Sequence, residues 1–520
     1  MTELDLSNAI DSLDANKSPG IDNIHIKHIK KCKHTLSKIL LKLINLMFET
    51  AVIHPDLKTA IIRPVHKSGS KAKVDNYRPI AVLPVIDKIM ERYVANILIN
   101  YLEKYNILSP NQYAFQKKKS TITLLEAFSD EVNRKLNDGY YVCTLFLDLS
   151  KAFDTLDHNI LLNKLYNIGI RGTFLNWFKS YLSDRFITTR IHNIYSEKLR
   201  IPFGVPHGSI LGPLLFLIYI NDINDINITG SLYQYADDTV ILSSNKCLLS
   251  ALNNLQYDFN ILNLWFNANS IHLNAKKTKY ICFHTPGANQ ENNLSLCSHS
   301  LHCQNKMCLS NNTCTENCSN IEMVRSIQYL GLTLDHHFRW KQHIMSICNK
   351  LRYCSVLFSK VQYVIPLKTK ILIYKALCES IIGYGITIYG CTYTSYMLKI
   401  ESLQYNIMKL IVPYNRNNFQ LVRFSSSEKL GILTARDLYR YKVILKHYYS
   451  SRYKIKANHY ITTRFISNQM YIVPSFTNNY GRMTQKYQVP YIFNEIPRNL
   501  LALNSFSTIK HKIKNWIFHN

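Results

Sequence analysis

Two apolar runs that terminate on aspartate restrict what this chain can fold into more than any other feature. The first, YVCTLFLDLS (Tyr141–Ser150), is β-branched and aromatic and reads as a buried strand ending at Asp148. The second, SLYQYADDTVILSS (Ser231–Ser244), brackets a central Ala-Asp-Asp with apolar residues, as two short strands flanking a tight turn do. Three carboxylates, Asp148, Asp237 and Asp238, are thereby offered at strand ends from separate parts of the chain.

Such a set suits hard cations. Magnesium prefers oxygen ligands, and two ions about 3.5–4 Å apart can activate an attacking hydroxyl and stabilise a leaving pyrophosphate. Taken alone, an Asp-Asp pair in a turn is more often a turn former bonded to nearby backbone. The wider chain must decide between the two.

At 520 residues and 47% hydrophobic content the chain exceeds the usual limit of one core, so several subdomains are expected. Lys and Arg number 62 against 34 Asp and Glu, a net charge of +28, which favours a polyanionic partner, nucleic acid first. A basic organellar or ribosome-associated protein, or a surface drawn to anionic lipid, would share that charge.

The opening MTELDLSNAIDSLDANKSPG is acidic and polar and fits neither a secretory signal nor a transit peptide. The most apolar run, Ile210 to Ile220, is about half a membrane span and is broken by Gly212 and Pro213, so no membrane role is expected. The 13 cysteines read as reduced thiols of a nuclear or cytoplasmic protein.

Periodicity divides the chain. Residues 1–59 form a helical lead-in broken at Ser18-Pro19-Gly20, and residues 60–285 mix short strands with helices. Within that block the spacing predicts strands on both sides of the basic loop SGSKAKVDN and helices over Ile86–Tyr105, Thr121–Leu136, His158–Tyr181 and Leu252–Trp265. A Gly-Pro-rich turn precedes the apolar helix near Leu214. Residues 286–320 are a Cys-rich insertion, 321–342 a strand-like unit, 343–415 periodic helices, and 416–520 a basic, Tyr-rich region.

Six segments in order, DNYRPIAVLPVIDKIMER, FLDLSKAFDTLDH, GVPHGSILGPLLFLIYINDI, YADD, LNAKKTKYICF and IQYLGLTLD, resemble the reverse transcriptases of non-LTR (LINE-type) retrotransposons, most closely the jockey-like elements. The resemblance covers about Asn16 to Trp340; YKALCESIIGYGITIYG, ESLQYNIMKLI and YIFNEIPRNL look like the later portions of the same elements. It implies an α+β right-hand polymerase with fingers and palm in 60–285, a primer-grip hairpin in 321–342 and a thumb in 343–415. The palm would be an antiparallel sheet backed by helices. The activity implied is RNA-directed DNA synthesis with two Mg²⁺ ions, Mn²⁺ being an alternative, on an RNA template with a DNA primer and dNTPs.

The resemblance also implies roles. Asp148, Asp237 and Asp238 would be catalytic and hold both metal ions. Phe153 would pack against the incoming sugar and reject a 2′-hydroxyl, and Arg78 would hold the triphosphate with its permanently charged fork. Gly204, Pro206, Gly208 and Ser209 fit a turn contacting nucleotide and template, glycine letting backbone approach closely. Lys277, with Lys276 and Lys279 as competitors, would assist the leaving pyrophosphate. Tyr329, Leu330 and Gly331 would support the primer end. For the Tyr- and Lys-rich stretch Leu438–Tyr453, phosphate and base contacts compete with an amphipathic helix whose tyrosines face the core.

Some positions depart from the family pattern. His207 replaces the usual Gln, and Ala114-Phe115-Gln116 replaces Gly-Phe-Arg, removing a cation expected near template or triphosphate. Cys297, Cys303, Cys308, Cys314 and Cys318 with His299 and His302 could ligate zinc, but lack paired C-x-x-C knuckles, so a reduced, solvent-exposed hairpin is preferred. The short lead-in leaves no room for the endonuclease that full elements carry. A catalytically silent nucleic-acid-binding remnant is therefore the alternative; an RNA polymerase, the third class, is disfavoured by Phe153.

Overall fold

The computed structural model describes residues 1–288, 295–299, 303, 318–412, 428, 430–455 and 471–519. Its strands, in chain order, are β1 (Thr59–His66), β2 (Tyr77–Val82), β3 (Tyr141–Leu147), β4 (Arg185–Ile191), β5 (Ile194–Tyr195), β6 (Leu199–Ile201) and β7 (Ser231–Tyr235). These are followed by β8 (Asp238–Asn245), β9 (Lys279–Phe283), β10 (Cys297–Ser298), β11 (Ser319–Asn320), β12 (Glu322–Met323), β13 (Ser326–Tyr329) and β14 (Leu332–Asp335).

The central sheet runs β12-β9-β3-β8-β7, with β3 antiparallel to both β8 and β9. Its strands lack the apolar/polar alternation of a one-sided sheet because both faces are covered. Cys143, Leu145 and Leu147 of β3, Ile241 of β8, and Tyr280 and Cys282 of β9 join one core, shared with the N-terminal helices and the apolar helix Gly212–Ile220. The alternate residues Val142, Phe146, Val240, Leu242, Ile281 and Phe283 join a second core built with helix Thr121–Asn137, the β13–β14 hairpin and the C-terminal helices. Phe128 stands at its centre, with edge-on contacts to Tyr233, Phe283 and Tyr329.

A second sheet packs β2 antiparallel and β4 parallel to β1, and β5 and β6 extend β4. The strands over 185–201 had no counterpart in the sequence reading. The single helix expected over His158–Tyr181 is two, His158–Asn167 and Gly172–Leu182. Gly169, at φ +99°, turns the chain between them, a conformation that glycine adopts at little cost.

A buried ionic cluster joins helix Val85–Lys104 to β4. Asp87 and Arg185 pair at 2.9 Å with both side chains almost wholly buried. Glu91 accepts from the Tyr181 hydroxyl at 2.5 Å and from the Ile210 amide at 2.7 Å. Burial, then repulsion from Asp87, pushes the Glu91 carboxyl up to about 8.

Among the described residues no helix is long and apolar enough to cross a membrane. In the basic C-terminal region, helix Ala435–His447 and the residue after it bury Tyr439 and Tyr448, while Tyr449 is exposed. Lys446 pairs with Glu126. The core-facing reading therefore holds for Tyr439 and Tyr448.

Candidate active site

Sheet register brings the three acids together. Leu147, the last residue of β3, lies opposite Thr239, so Asp148 leaves its strand level with Asp238. Asp238 opens β8 and faces Tyr235 across a two-residue turn of Ala236 and Asp237. Ala236 has φ +56°, the left-handed geometry that short hairpin turns require and that costs a non-glycine residue about 1 kcal/mol.

Other segments hold this turn in place. The Ala236 amide donates to the Gln112 side-chain oxygen at 3.0 Å, which also accepts from Ala114 at 2.9 Å. Asn111 and Tyr113 exchange backbone hydrogen bonds with Gln234, so the outer edge of β7 is covered. On the other side the Asp148 amide donates to the Thr278 hydroxyl and its carbonyl accepts from Asn274, fastening the LNAKKTK loop to the acid. That loop leaves Lys276 and Lys277 exposed, while Lys279 pairs with Glu322.

The acids feel one another. Burial, followed by repulsion from Asp148, raises the Asp237 carboxyl above the usual range, against the opposing fields of His207 and Arg78. Asp238, open to solvent at one side, is raised to about 6 by desolvation, then by Asp237 and Asp148, with Lys67 opposing. Oxygen ligands crowded to this degree favour a divalent cation that would relieve the repulsion. Lys67, which closes β1's side of the basic loop, had not been singled out; its only sequence signal was the charge of that loop.

Beside the acids, the half-buried ring of Phe153 stacks on Phe216 at 4.6 Å and meets the His207 ring at 5.1 Å. His207 also places a ring nitrogen 3.5 Å from Asp154. A Cβ on Gly204, at φ +80°, would come within 2.6 Å of the Asp154 carbonyl; one on Gly208 would come within 2.7 Å of the Ala81 carbonyl. The His207 carbonyl accepts from Ala81, which ties this turn to β2 and so to Arg78, exposed on the same strand. Pro206 and Ser209 are buried, and the Ser209 hydroxyl accepts from the Gly212 amide at the helix start.

The Gln116 amide bonds the carbonyls of Gln112 and Ser109, and the Lys119 ammonium bonds those of Pro110 and Gln112, so this segment spends its polar groups on its own loop. Tyr329 is buried against Phe146 at 5.0 Å, which leaves Leu330 and Gly331, both at positive φ, as the tip of the hairpin. Tyr384 covers that tip and donates to the Leu330 carbonyl at 2.6 Å.

In the Cys-rich segment, His299, Cys303 and Cys318 bring ligand atoms within 4.8 Å of one another. Cys297, His299 and Cys303 are buried, unlike the exposed hairpin that was preferred. His302, Cys308 and Cys314 lie outside the described residues.

Residues 65–334 match the family described as "Reverse transcriptase (RNA-dependent DNA polymerase)". The chain is 27% identical over 458 residues to the probable RNA-directed DNA polymerase from transposon BS of Drosophila melanogaster, covering 85% of this chain and 48% of that protein. It is 26% identical over 443 residues to the RNA-directed DNA polymerase from mobile element jockey of the same species, covering 82% and 46%. The chain thus spans about half the length of the curated relatives it matches. A solved telomerase from Candida albicans aligns over 73% of this chain and 66% of its own, at 11% identity and a TM-score of 0.39.

Proposed function

This chain belongs to the reverse transcriptase (RNA-dependent DNA polymerase) family, and from that premise we propose that it extends a primer 3′-hydroxyl along an RNA template for a non-LTR, jockey-like retrotransposon. The observation that carries the reading is the convergence of Asp148, Asp237 and Asp238 at adjoining strand ends, with the ionisation of Asp237 and Asp238 suppressed by burial and by the neighbouring acids. Asp148 and Asp237 are the main metal ligands and Asp238 completes the set. Two Mg²⁺ ions, when bound, supply charge neutralisation at the attacking and leaving oxygens.

The chain's own residues do the rest. Arg78 and Lys67 present positive charge toward the acids from β2 and the loop beside it, where a triphosphate would be received, and exposed Lys277 stands on the loop fastened to Asp148 for the pyrophosphate. Phe153, wedged between Phe216 and His207, is held rigidly enough to exclude a 2′-hydroxyl. Gly204 and Gly208 permit the close backbone packing that sets this wall, and the β13–β14 hairpin that Leu330 and Gly331 close, braced by Tyr384, supports the primer end.

Primer extension on poly(rA)/oligo(dT) with Mg²⁺ tests this, beside an Asp237→Ala, Asp238→Ala control. Incorporation of dTTP that the control abolishes is expected. A folded protein that binds RNA yet incorporates nothing would refute the polymerase reading and favour the silent remnant.

A further inference from the structure

Three histidines meet far along the sequence from the catalytic acids. His284 directly follows β9, and His336 and His337 directly follow β14. A backbone hydrogen bond of 3.1 Å from His284 to the His336 carbonyl clamps the two chain segments at this point. One ring nitrogen of each histidine lies within 4.8 Å of those of the other two, and the ring centroids are 4.0–5.6 Å apart.

Their Nδ1 atoms share one kind of partner. The Nδ1 atoms of His284, His336 and His337 lie 2.9, 3.2 and 3.2 Å from the backbone carbonyls of Thr285, Arg325 and His284. A carbonyl only accepts, so each Nδ1 is the donor in its contact. Pinning of one ring nitrogen by a carbonyl is the outer-shell arrangement that orients histidine toward a metal. Burial first, and then the neighbouring imidazoles, hold His284 and His336 below the usual histidine range. Beside them Asp335 is buried; one oxygen accepts from the Arg339 amide and the other has no hydrogen-bond partner among the described residues.

We propose that His284, His336 and His337 form a binding site for one late first-row divalent cation, zinc in the first instance, distinct from the magnesium-binding acids. Three imidazole ligands suit zinc, nickel or copper and offer little to magnesium. Bound there, the ion staples the end of β9 in the central sheet to the base of the β13–β14 hairpin, so metal binding stabilises the hairpin that Leu330 and Gly331 close.

Titration of the chelator-treated full chain with Co²⁺, in excess Mg²⁺, tests the proposal by visible absorption. The comparison is with His336→Gln, His337→Gln, both rings being half-buried, and with Cys303→Ser, Cys318→Ser. The expected result is a Co²⁺ ion whose ligand-field bands, free of thiolate charge transfer, survive the cysteine changes and disappear with the histidine changes while circular dichroism is unaltered. Zn²⁺ should compete it away and raise the Tm of the natural chain more than that of the histidine variant. Cobalt bound only with thiolate charge transfer, or a stoichiometry and spectrum indifferent to His336→Gln, His337→Gln, would overturn the site.

Discussion

Replacing Glu91 by Gln should make the protein's stability less sensitive to alkaline pH. Glu91 is fully buried between the Tyr181 hydroxyl and the Ile210 amide, near the Asp87–Arg185 pair. One guanidinium cannot neutralise two buried carboxylates, and burial with Asp87 raises Glu91 from 4.5 to about 8. The unfolded chain releases this proton near pH 4.5, whereas the folded chain keeps it to about 8. The resulting stability is therefore complete below pH 4.5 and is lost as pH rises toward and through 8, at about 1.4 kcal/mol per pH unit. Across the whole interval this amounts to roughly 5 kcal/mol.

Glutamine keeps an acceptor for Ile210 and cannot ionise, so it imitates the protonated acid. Urea unfolding of wild type and Glu91→Gln at several values between pH 5.5 and 8.5 should show the difference moving in favour of the variant by about 1.4 kcal/mol per unit. Parallel pH profiles for the two proteins would refute the reasoning, since they would mean that Glu91 ionises in the fold as it does in the unfolded chain.

Phe153→Val should open space against the sugar and raise incorporation of UTP relative to dTTP by about 10–200-fold in steady-state extension, with little loss of dTTP use. Gly204→Ala places a Cβ 2.6 Å from the Asp154 carbonyl at a positive φ; a loss of about 1–3 kcal/mol, read as a lower Tm, should accompany weaker extension. Without metal, the stability associated with the raised Asp238 carboxyl is present below its ordinary value and lost as pH rises through about 6. Mg²⁺ should therefore raise the Tm more at pH 7.5 than at pH 5, and Asp238→Asn should diminish that contrast.

The carboxylates were legible because strand ends and a turn are encoded locally: an apolar run, a polar stop, then Asp148 or Asp237-Asp238. The division of the central sheet between two cores was not legible, because Val142 and Cys143 look alike in sequence and only the pleat sends them to opposite faces. Gln112 was missed because nothing local to NQYAF announces that its amide reaches a turn 124 positions away. Lys67 was hidden among other cations of its loop. Tyr329 was read as a primer contact, although its ring completes an aromatic cluster around Phe128. The His284, His336 and His337 cluster depends on the end of β9 meeting the end of β14, a pairing that no spacing rule reports.

The sheet that carries the acids is a party wall. One side is covered from before the Cys-rich segment, while on the other Val142, Phe146, Val240, Leu242, Ile281 and Phe283 share their cover between helix Thr121–Asn137 and the later part of the chain. A fragment stopped at residue 285 would keep every catalytic aspartate and helix Thr121–Asn137 yet lose the β13–β14 hairpin and the C-terminal helices, which opens part of that face to water on the reverse of the strands that aim Asp148 and Asp238. Trimming such a chain to its catalytic motifs would yield an aggregating fragment, and the C-terminal region is as much a part of the polymerase's masonry as the motifs are.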